Sequence, residues 1–593
     1  MFPKCSNPDA RCTVPEGAQP PVRRPSHFSN THRQCARKFL SAAFALWIIS
    51  SPALVRAYQP VAARNGMVVT GEPHASQAGI RILREGGNAV DAAVAVGFAL
   101  AVTYPFAGNI GGGGFMLIRM ANRQSGVIDY REEAPAAATP NMYLDAQGRI
   151  IPNASTVGAR SVGVPGTVAG LALAEQKFGK LGLERVMAPA IALAERGFPV
   201  SYWLSQSLRQ HQPLLSQFPA SRRIFLRDGS LYQPGKIFRQ PQLARTLEEI
   251  ARHGPRAFYR GGIAAAIVRT EKALGGIITR SDLEGYQAKM RKPLAGRFRG
   301  YTVLTVPPPS SGGVALIEML NVLQPIDLRS PDSYNSMRFI VETMRRAYAD
   351  RAAYLADADF VRVPVRGLIS SHYAAKLRQE ILDAKPDAII GPGFPAPYES
   401  RNTTHFSVVD AEGNAVSNTY TLNNGYGSGV TVGRAGFLLN DEMDDFTSKP
   451  RSPNMYGLIQ SAANAIAPHK RPLSSMTPAI VMQDGKPRLV LGSPGGGTIP
   501  NTVLEVILNS LVYKMDVLRA VTEPRFHDQW VPNTLFLERD GFSADTVARL
   551  RRAGYHIDLV DRIGECEAIE VDPETGWRFG AADPRGDGEA VGY

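Results

Sequence analysis

The sequence is poor in cysteine. Of four cysteines in 593 residues, Cys5, Cys12 and Cys35 lie near the N-terminus and only Cys566 lies beyond it. A disulfide within the rest of the chain is excluded, and the single remaining thiol reads as a small buried apolar residue. The ten histidines show no His-Glu-x-x-His or related metal-ligand spacing. There is no Gly-x-Ser-x-Gly elbow. The glycine run 111–114 is not followed by the Gly-Lys-Ser/Thr of a phosphate loop. No aromatic–basic pattern of an RNA-binding sheet is present. A composition of 44% hydrophobic and 20% charged residues excludes collagen-like, disordered and many-pass membrane chains. The length suits several domains, or one large enzyme domain with additions.

The formal charge of +13 invites a nucleic-acid or membrane-surface reading. Its location argues against the nucleic-acid reading. Lys4, Arg11, Arg23, Arg24, Arg33, Arg37, Lys38 and Arg56 face only Asp9 and Glu16 in residues 1–57, and they account for nearly half of the excess. Further on, both signs are interspersed without a long block of one sign. Arg33, Arg37 and Lys38 precede an apolar run over 39–55, and Val55-Arg56-Ala57 sets small residues at −3 and −1 of a cut after Ala57. Basic flank, short apolar core and small-residue exit describe a secretory signal, and with it export to the periplasm or the medium. The alternative is an uncleaved membrane anchor, for which the run falls short of the roughly 20 residues of a spanning helix. A second apolar stretch, 89–102, contains Asp91 and reads as a buried core helix.

Punctuation divides the remainder. A helix over 75–85 is stopped by Gly86-Gly87-Asn88. The glycines 111–114 precede a strand over 115–119 and predict close backbone approach, not a flexible linker. Helical patterns follow at 172–177, 188–196, 242–252 and 264–274. A Pro/Ser/Gly break at 307–313 precedes helical stretches at 314–323 and 334–355. A Gly/Pro-rich loop over 388–402 then gives way abruptly to a hairpin, with strands over 403–410 and 415–422 around a turn.

Six short segments carry chemical potential. Asn402-Thr403-Thr404-His405 opens the first hairpin strand, and read alone it is an edge strand. If the chain were cut before Thr403, however, the new α-amine could serve as base for the neighbouring hydroxyl. Thr421, Asn423 and a glycine-rich turn end the second strand. Asp441, Glu442, Asp444 and Asp445 sit between apolar flanks. That predicts partial burial, and a buried carboxylate needs a cationic partner such as a ligand's ammonium group. Ser474 and Ser475 follow Lys470-Arg471. Gly495 and Gly496 follow an apolar strand and expose backbone N–H groups suited to an oxyanion. Arg131, flanked by acidic residues at a strand end, reads as a surface ion pair or as a fork for a carboxylate.

Together and in this order the segments closely resemble the γ-glutamyltransferase (glutathione hydrolase) family over about 66–593. The resemblance implies an α+β fold of the N-terminal nucleophile hydrolase type, a four-layer αββα sandwich. It implies a precursor that cuts itself between Asn402 and Thr403. Residues 1–57 are then the signal, 58–402 a large subunit and 403–593 a small subunit, held as a heterodimer. Thr403 becomes the nucleophile, oriented by Thr421, with Gly495 and Gly496 as the oxyanion hole. Arg131, Ser474 and Ser475 hold the substrate's α-carboxylate, while Asn423, Glu442 and Asp445 hold its α-ammonium. Tyr456 belongs to a covering lid. The implied substrates are glutathione and other γ-glutamyl compounds, with water or amino acid and dipeptide acceptors. No cofactor, metal or nucleic acid is implied. The alternative is a cephalosporin (glutaryl) acylase of the same fold, whose acyl group lacks the α-amine and does not require a carboxylate at Asp445.

Overall fold

The hairpin that begins at Thr404 lies at the centre of one of two stacked antiparallel sheets. The structure, a computed structural model, describes residues 59–385, 388 and 403–593. The export signal, Asn402 and nearly all of the Gly/Pro-rich loop lie outside the described residues. In the first sheet the strand order is Glu589–Gly592, Met67–Thr70, Thr404–Val409, Ala415–Thr421, Gly113–Arg119, Ser125–Asp129 and Lys289–Arg291. In the second it is Val61–Ala63, Arg578–Ala581, Glu567–Val571, Lys486–Gly492, Ala479–Gln483, Tyr301–Thr305 and Leu294–Phe298. Strands from before and after Thr403 are interleaved in both sheets.

Thr404–Val409 is not the edge strand that its own sequence suggests. It pairs with Met67–Thr70 on one side and Ala415–Thr421 on the other. Both of its faces are buried, so its polar residues point inward as well. Phe406 and Val408 enter the core under the outer helices, whereas Val409 belongs to the core between the sheets. Ser407 Oγ donates to the Glu567 carbonyl at 3.0 Å, and Ser417 Oγ donates to that of Leu491 at 2.8 Å. Small hydroxyls thus pin one sheet to the other by hydrogen bonds, as buried polar groups require.

Helices cover both outer faces and complete four αββα layers. Over the first sheet lie Pro73–Arg84, Ala89–Thr103, Thr167–Phe178 and Leu183–Arg196. Every residue of Ala89–Thr103 is buried, as its predominantly apolar composition predicts, and Asn88 and Asp91 close its N-terminus as a capping box. Over the second sheet lie Gly312–Leu323, Tyr334–Tyr354, Ile499–Leu511 and Val517–Thr522. No helix of the described residues is long and apolar enough to cross a membrane.

The glycine run works by close approach. A Cβ at Gly112 would collide with the Thr421 carbonyl, and one at Gly114 with that of Thr419. These glycines therefore let Gly113–Arg119 lie flush against the strand that carries Thr421.

Candidate active site

Thr403 immediately precedes the central strand and is 5% exposed. The register that pairs Thr404 with Tyr420 sets Thr403 opposite Thr421 one step further on. Thr421 is itself fixed: its Oγ1 accepts from Asn423 N at 2.9 Å, and its carbonyl accepts from Asn109 Nδ2 at 2.8 Å. Gly495 and Gly496 follow the strand Lys486–Gly492 of the other sheet. Their φ values of +136° and +53° are ones that side chains disfavour. Thr403, Pro494 and Gly495 line one cavity of about 140 Å³. Gly496 lies under the Tyr456 ring, which a Cβ there would strike. Tyr456 in turn donates from its hydroxyl to the Asn423 carbonyl at 2.9 Å and contacts Asn423 Oδ1 at 2.5 Å. Nucleophile candidate, oxyanion candidates and lid candidate are thus brought together.

The histidine two residues after Thr403 does not act as a base on it. His405 Nδ1 bonds Thr419 Oγ1 at 2.8 Å and Nε2 bonds Ser407 Oγ at 3.1 Å. Burial pushes its pKa down to about 3, so the imidazole is neutral.

Arg131 is fully buried, not part of a surface pair. Its Nη1 contacts Glu442, its Nη2 lies 2.5 Å from Asp445 Oδ2, and Glu132 stands 3.6 Å away. The cationic partner expected for the buried acidic segment is, in the structure, Arg131. The two elements lie more than 300 positions apart, so the local sequence cannot reveal the pairing. The surplus of carboxylates remains visible. Burial raises the pKa of Glu132 to about 7 and of Asp444 to about 6, and it raises that of Glu442 as well. Asp444 is satisfied by Ser155 Oγ and Met455 N, and Asp445 Oδ1 accepts from Asn454 Nδ2 at 2.9 Å. Among the described residues no group of three His, Cys, Asp or Glu side chains is arranged to hold a metal ion.

Ser474 and Ser475 continue the segment that Arg131 touches. Arg131 Nε donates to the Pro472 carbonyl at 3.1 Å. The sequence reading missed three supports. Arg471 pairs with Asp129 Oδ1 at 2.6 Å and Glu133 Oε1 at 2.8 Å, which anchors the strand end that carries Arg131. Asn454 orients Asp445. Arg351 donates to Ser475 Oγ. Arg471 lies inside a motif already singled out. Arg351 carries no local signal, because it follows Arg345 and Arg346 on a helix where charges look like a solvated face.

A central strand headed by a threonine, an αββα sandwich and a glycine pair whose first member lines the same cavity are the arrangement of an N-terminal nucleophile hydrolase. Comparison with known proteins narrows the class. The family model for gamma-glutamyltranspeptidase matches residues 75–593, and the chain belongs to that family. The glutathione hydrolase proenzyme of Escherichia coli K12 is 47% identical over 542 residues, covering 90% of this chain and 93% of that protein. Among solved structures, a cephalosporin acylase from Bacillus halodurans superposes with a TM-score of 0.81 at 28% identity, over 90% of this chain and 97% of that one. A Helicobacter pylori gamma-glutamyltranspeptidase matches with a TM-score of 0.52 at 45% identity, over 54% of this chain and 91% of that one.

Proposed function

We propose that this chain is a self-processing glutathione hydrolase and γ-glutamyltransferase. The observation that carries the reading is the buried set Arg131, Glu442 and Asp445 beside Ser474–Ser475, which offers both a cation and carboxylates to the two charged ends of an α-amino acid. In the precursor the Thr403 hydroxyl attacks the Asn402 carbonyl, the amide C–N bond breaks to free the Thr403 α-amine as an ester forms on Oγ, and water hydrolyses that ester to restore the hydroxyl and leave a carboxylate on Asn402. Residues 58–402 and 403–593 stay together as a heterodimer, which the interleaving of their strands supports. In the mature enzyme the α-amine takes the hydroxyl proton as Oγ attacks the γ-glutamyl carbonyl. The N–H groups of Gly495 and Gly496 receive the oxyanion. The leaving amine takes the proton and departs, leaving a γ-glutamyl ester on Thr403. Water, or the amine of an amino acid or dipeptide, then resolves that ester. The basic flank, apolar run and small-residue exit of the N-terminal segment support export to the periplasm or the medium.

The similarity to a cephalosporin acylase favours glutaryl amides as a second reading. A glutaryl group brings no ammonium, so Asp445 and Glu442 would keep their pairing with Arg131 and leave it less free for a carboxylate. That difference favours γ-glutamyl donors. The test is to purify the protein, look for two bands, and compare γ-glutamyl-p-nitroanilide with glutaryl-p-nitroanilide. Faster turnover of the γ-glutamyl compound supports the proposal, and the reverse order replaces it with the acylase reading.

A further inference from the structure

The helix Tyr334–Tyr354 contains a buried arginine that the proposed chemistry leaves unused. Arg351 is 1% exposed. Its Nε donates to Ser311 Oγ at 3.0 Å and its Nη2 to Ser475 Oγ at 3.2 Å. Its Nη1 is buried with no hydrogen-bond partner. The other buried arginines of this helix are compensated differently: Arg345 and Arg346 both pair with Glu342, at 2.9 and 2.7 Å. Arg351 meets hydroxyls and no carboxylate among the described residues. Burial lowers its pKa, and the nearby charge of Asp445 only partly restores it. A buried cation without a counter-charge is costly to a fold unless an anion completes it.

Its surroundings indicate where the anion belongs. Pro472 to Ser475 run from one guanidinium to the other: Arg131 holds the carbonyls of Pro472 and Leu473, and Arg351 holds the Ser475 hydroxyl. Because Ser475 Oγ accepts from a cation, its own O–H is left to donate elsewhere. The same helix is locked to the rest of the site. The Tyr348 hydroxyl donates to the Gly497 carbonyl beside the oxyanion candidates, and the Ala352 carbonyl accepts from Ser461 N at 3.0 Å, just beyond the Tyr456 segment.

We propose that Arg351 is the second arginine of the α-carboxylate subsite, a positioning residue that acts through Ser475. It orients and polarises the Ser475 hydroxyl toward the donor's α-carboxylate, while Arg131 meets the same carboxylate from the other end of the segment. The carboxylate supplies the negative charge that Arg351 lacks. This inference rests on the γ-glutamyl reading above.

The test uses the processed enzyme with γ-glutamyl-p-nitroanilide as donor and L-glutamate as competitive inhibitor. For Arg351→Gln, KM for the donor and the inhibition constant of L-glutamate should both rise about tenfold or more, as expected for loss of a charge-assisted contact, while kcat changes less than about threefold. Arg351→Lys should recover a substantial part of both. A rise that Arg351→Lys does not reduce, an equal fall in kcat, or an unmoved inhibition constant would overturn the inference. Should Arg351→Gln remain a single uncut chain, Arg351→Lys decides alone: L-glutamate inhibition must weaken at near-normal kcat, and unchanged inhibition overturns the inference. Absence of γ-glutamyl turnover by the unsubstituted enzyme is a different failure and strikes the functional reading itself.

Discussion

Arg131 and Asp445 form a 2.5 Å ion pair, although the family resemblance assigns them to opposite ends of one substrate group. The pair compensates both charges within the protein. A γ-glutamyl donor brings one positive and one negative end. Its ammonium can take the guanidinium's place at Asp445 and Glu442 while its carboxylate takes the place of those acids at Arg131. The exchange adds no net charge to the buried set, whereas a donor carrying only one of the two charges does.

Asp445→Asn tests that exchange. The variant keeps the hydrogen bond from Asn454 but loses the charge that receives the ammonium. We expect kcat/KM for γ-glutamyl-p-nitroanilide to fall on the order of a hundredfold or more, the range associated with an unpaired buried polar group, and that for glutaryl-p-nitroanilide to fall less than about tenfold. Equal losses on the two substrates would remove the ammonium role from Asp445.

Thr403→Ala removes one hydroxyl from the head of the central strand. Both the cut and the acyl transfer need that oxygen. The variant should run as one uncut band on a denaturing gel and show no γ-glutamyl turnover. Its thermal midpoint should lie within a few degrees of the unsubstituted protein's, because the hydrogen bonding of a single hydroxyl contributes about 1 kcal/mol. A cut Thr403→Ala chain would assign the nucleophile to another residue.

Local pattern and tertiary pairing differ in how far the sequence discloses them. The hairpin strands, the predominantly apolar helix after Asn88 and the tight contact of the glycine run are legible because each depends on residues adjacent in the chain. The burial of Asp441 to Asp445 is legible from their apolar flanks. The identity of their cation is not, since Arg131 arrives from a strand in the other half of the chain. Arg351 is hidden for a related reason: helical periodicity distinguishes faces, but it cannot say that this arginine meets Ser475, more than 120 positions further on. The edge-strand reading fails where small hydroxyls such as Ser407 satisfy themselves across a sheet interface, which makes a doubly buried strand look half-exposed.

Glu271 offers a pH signature away from the site. It lies buried on the helix Gly262–Ala273, and burial raises its pKa to about 8, a shift that the amides of Ile277 and Ile278 offset only in part. A carboxyl whose folded pKa exceeds its unfolded one stabilises the fold fully below the unfolded value, near 4.5. That contribution is lost as the pH rises through about 8. Glu271→Gln should therefore match the parent protein near pH 4.5 and exceed it above pH 8, by at least the roughly 1.4 kcal/mol of one pKa unit. Denaturant midpoints at the two pH values measure this. A variant equally or less stable at the higher pH would show that the carboxylate is already compensated.

Cys566 ties the chemistry of the mature protein to its export. It is fully buried on the strand side of Glu567–Val571, and burial raises its thiol pKa well above the ordinary value, so little nucleophilic thiolate forms. A folded sample should give no reaction with an aromatic disulfide reagent on the minutes timescale and should keep full γ-glutamyl turnover in its presence. After denaturation the number of reactive thiols reports the N-terminus. A chain that has lost residues 1–57 retains only Cys566, whereas one that keeps them, if reduced, carries four cysteines. One thiol per chain in protein recovered from outside the cytoplasm supports signal removal after Ala57. Four would replace that proposal with the uncleaved anchor. Rapid modification of the folded enzyme with loss of activity would contradict the inert, buried role assigned to Cys566.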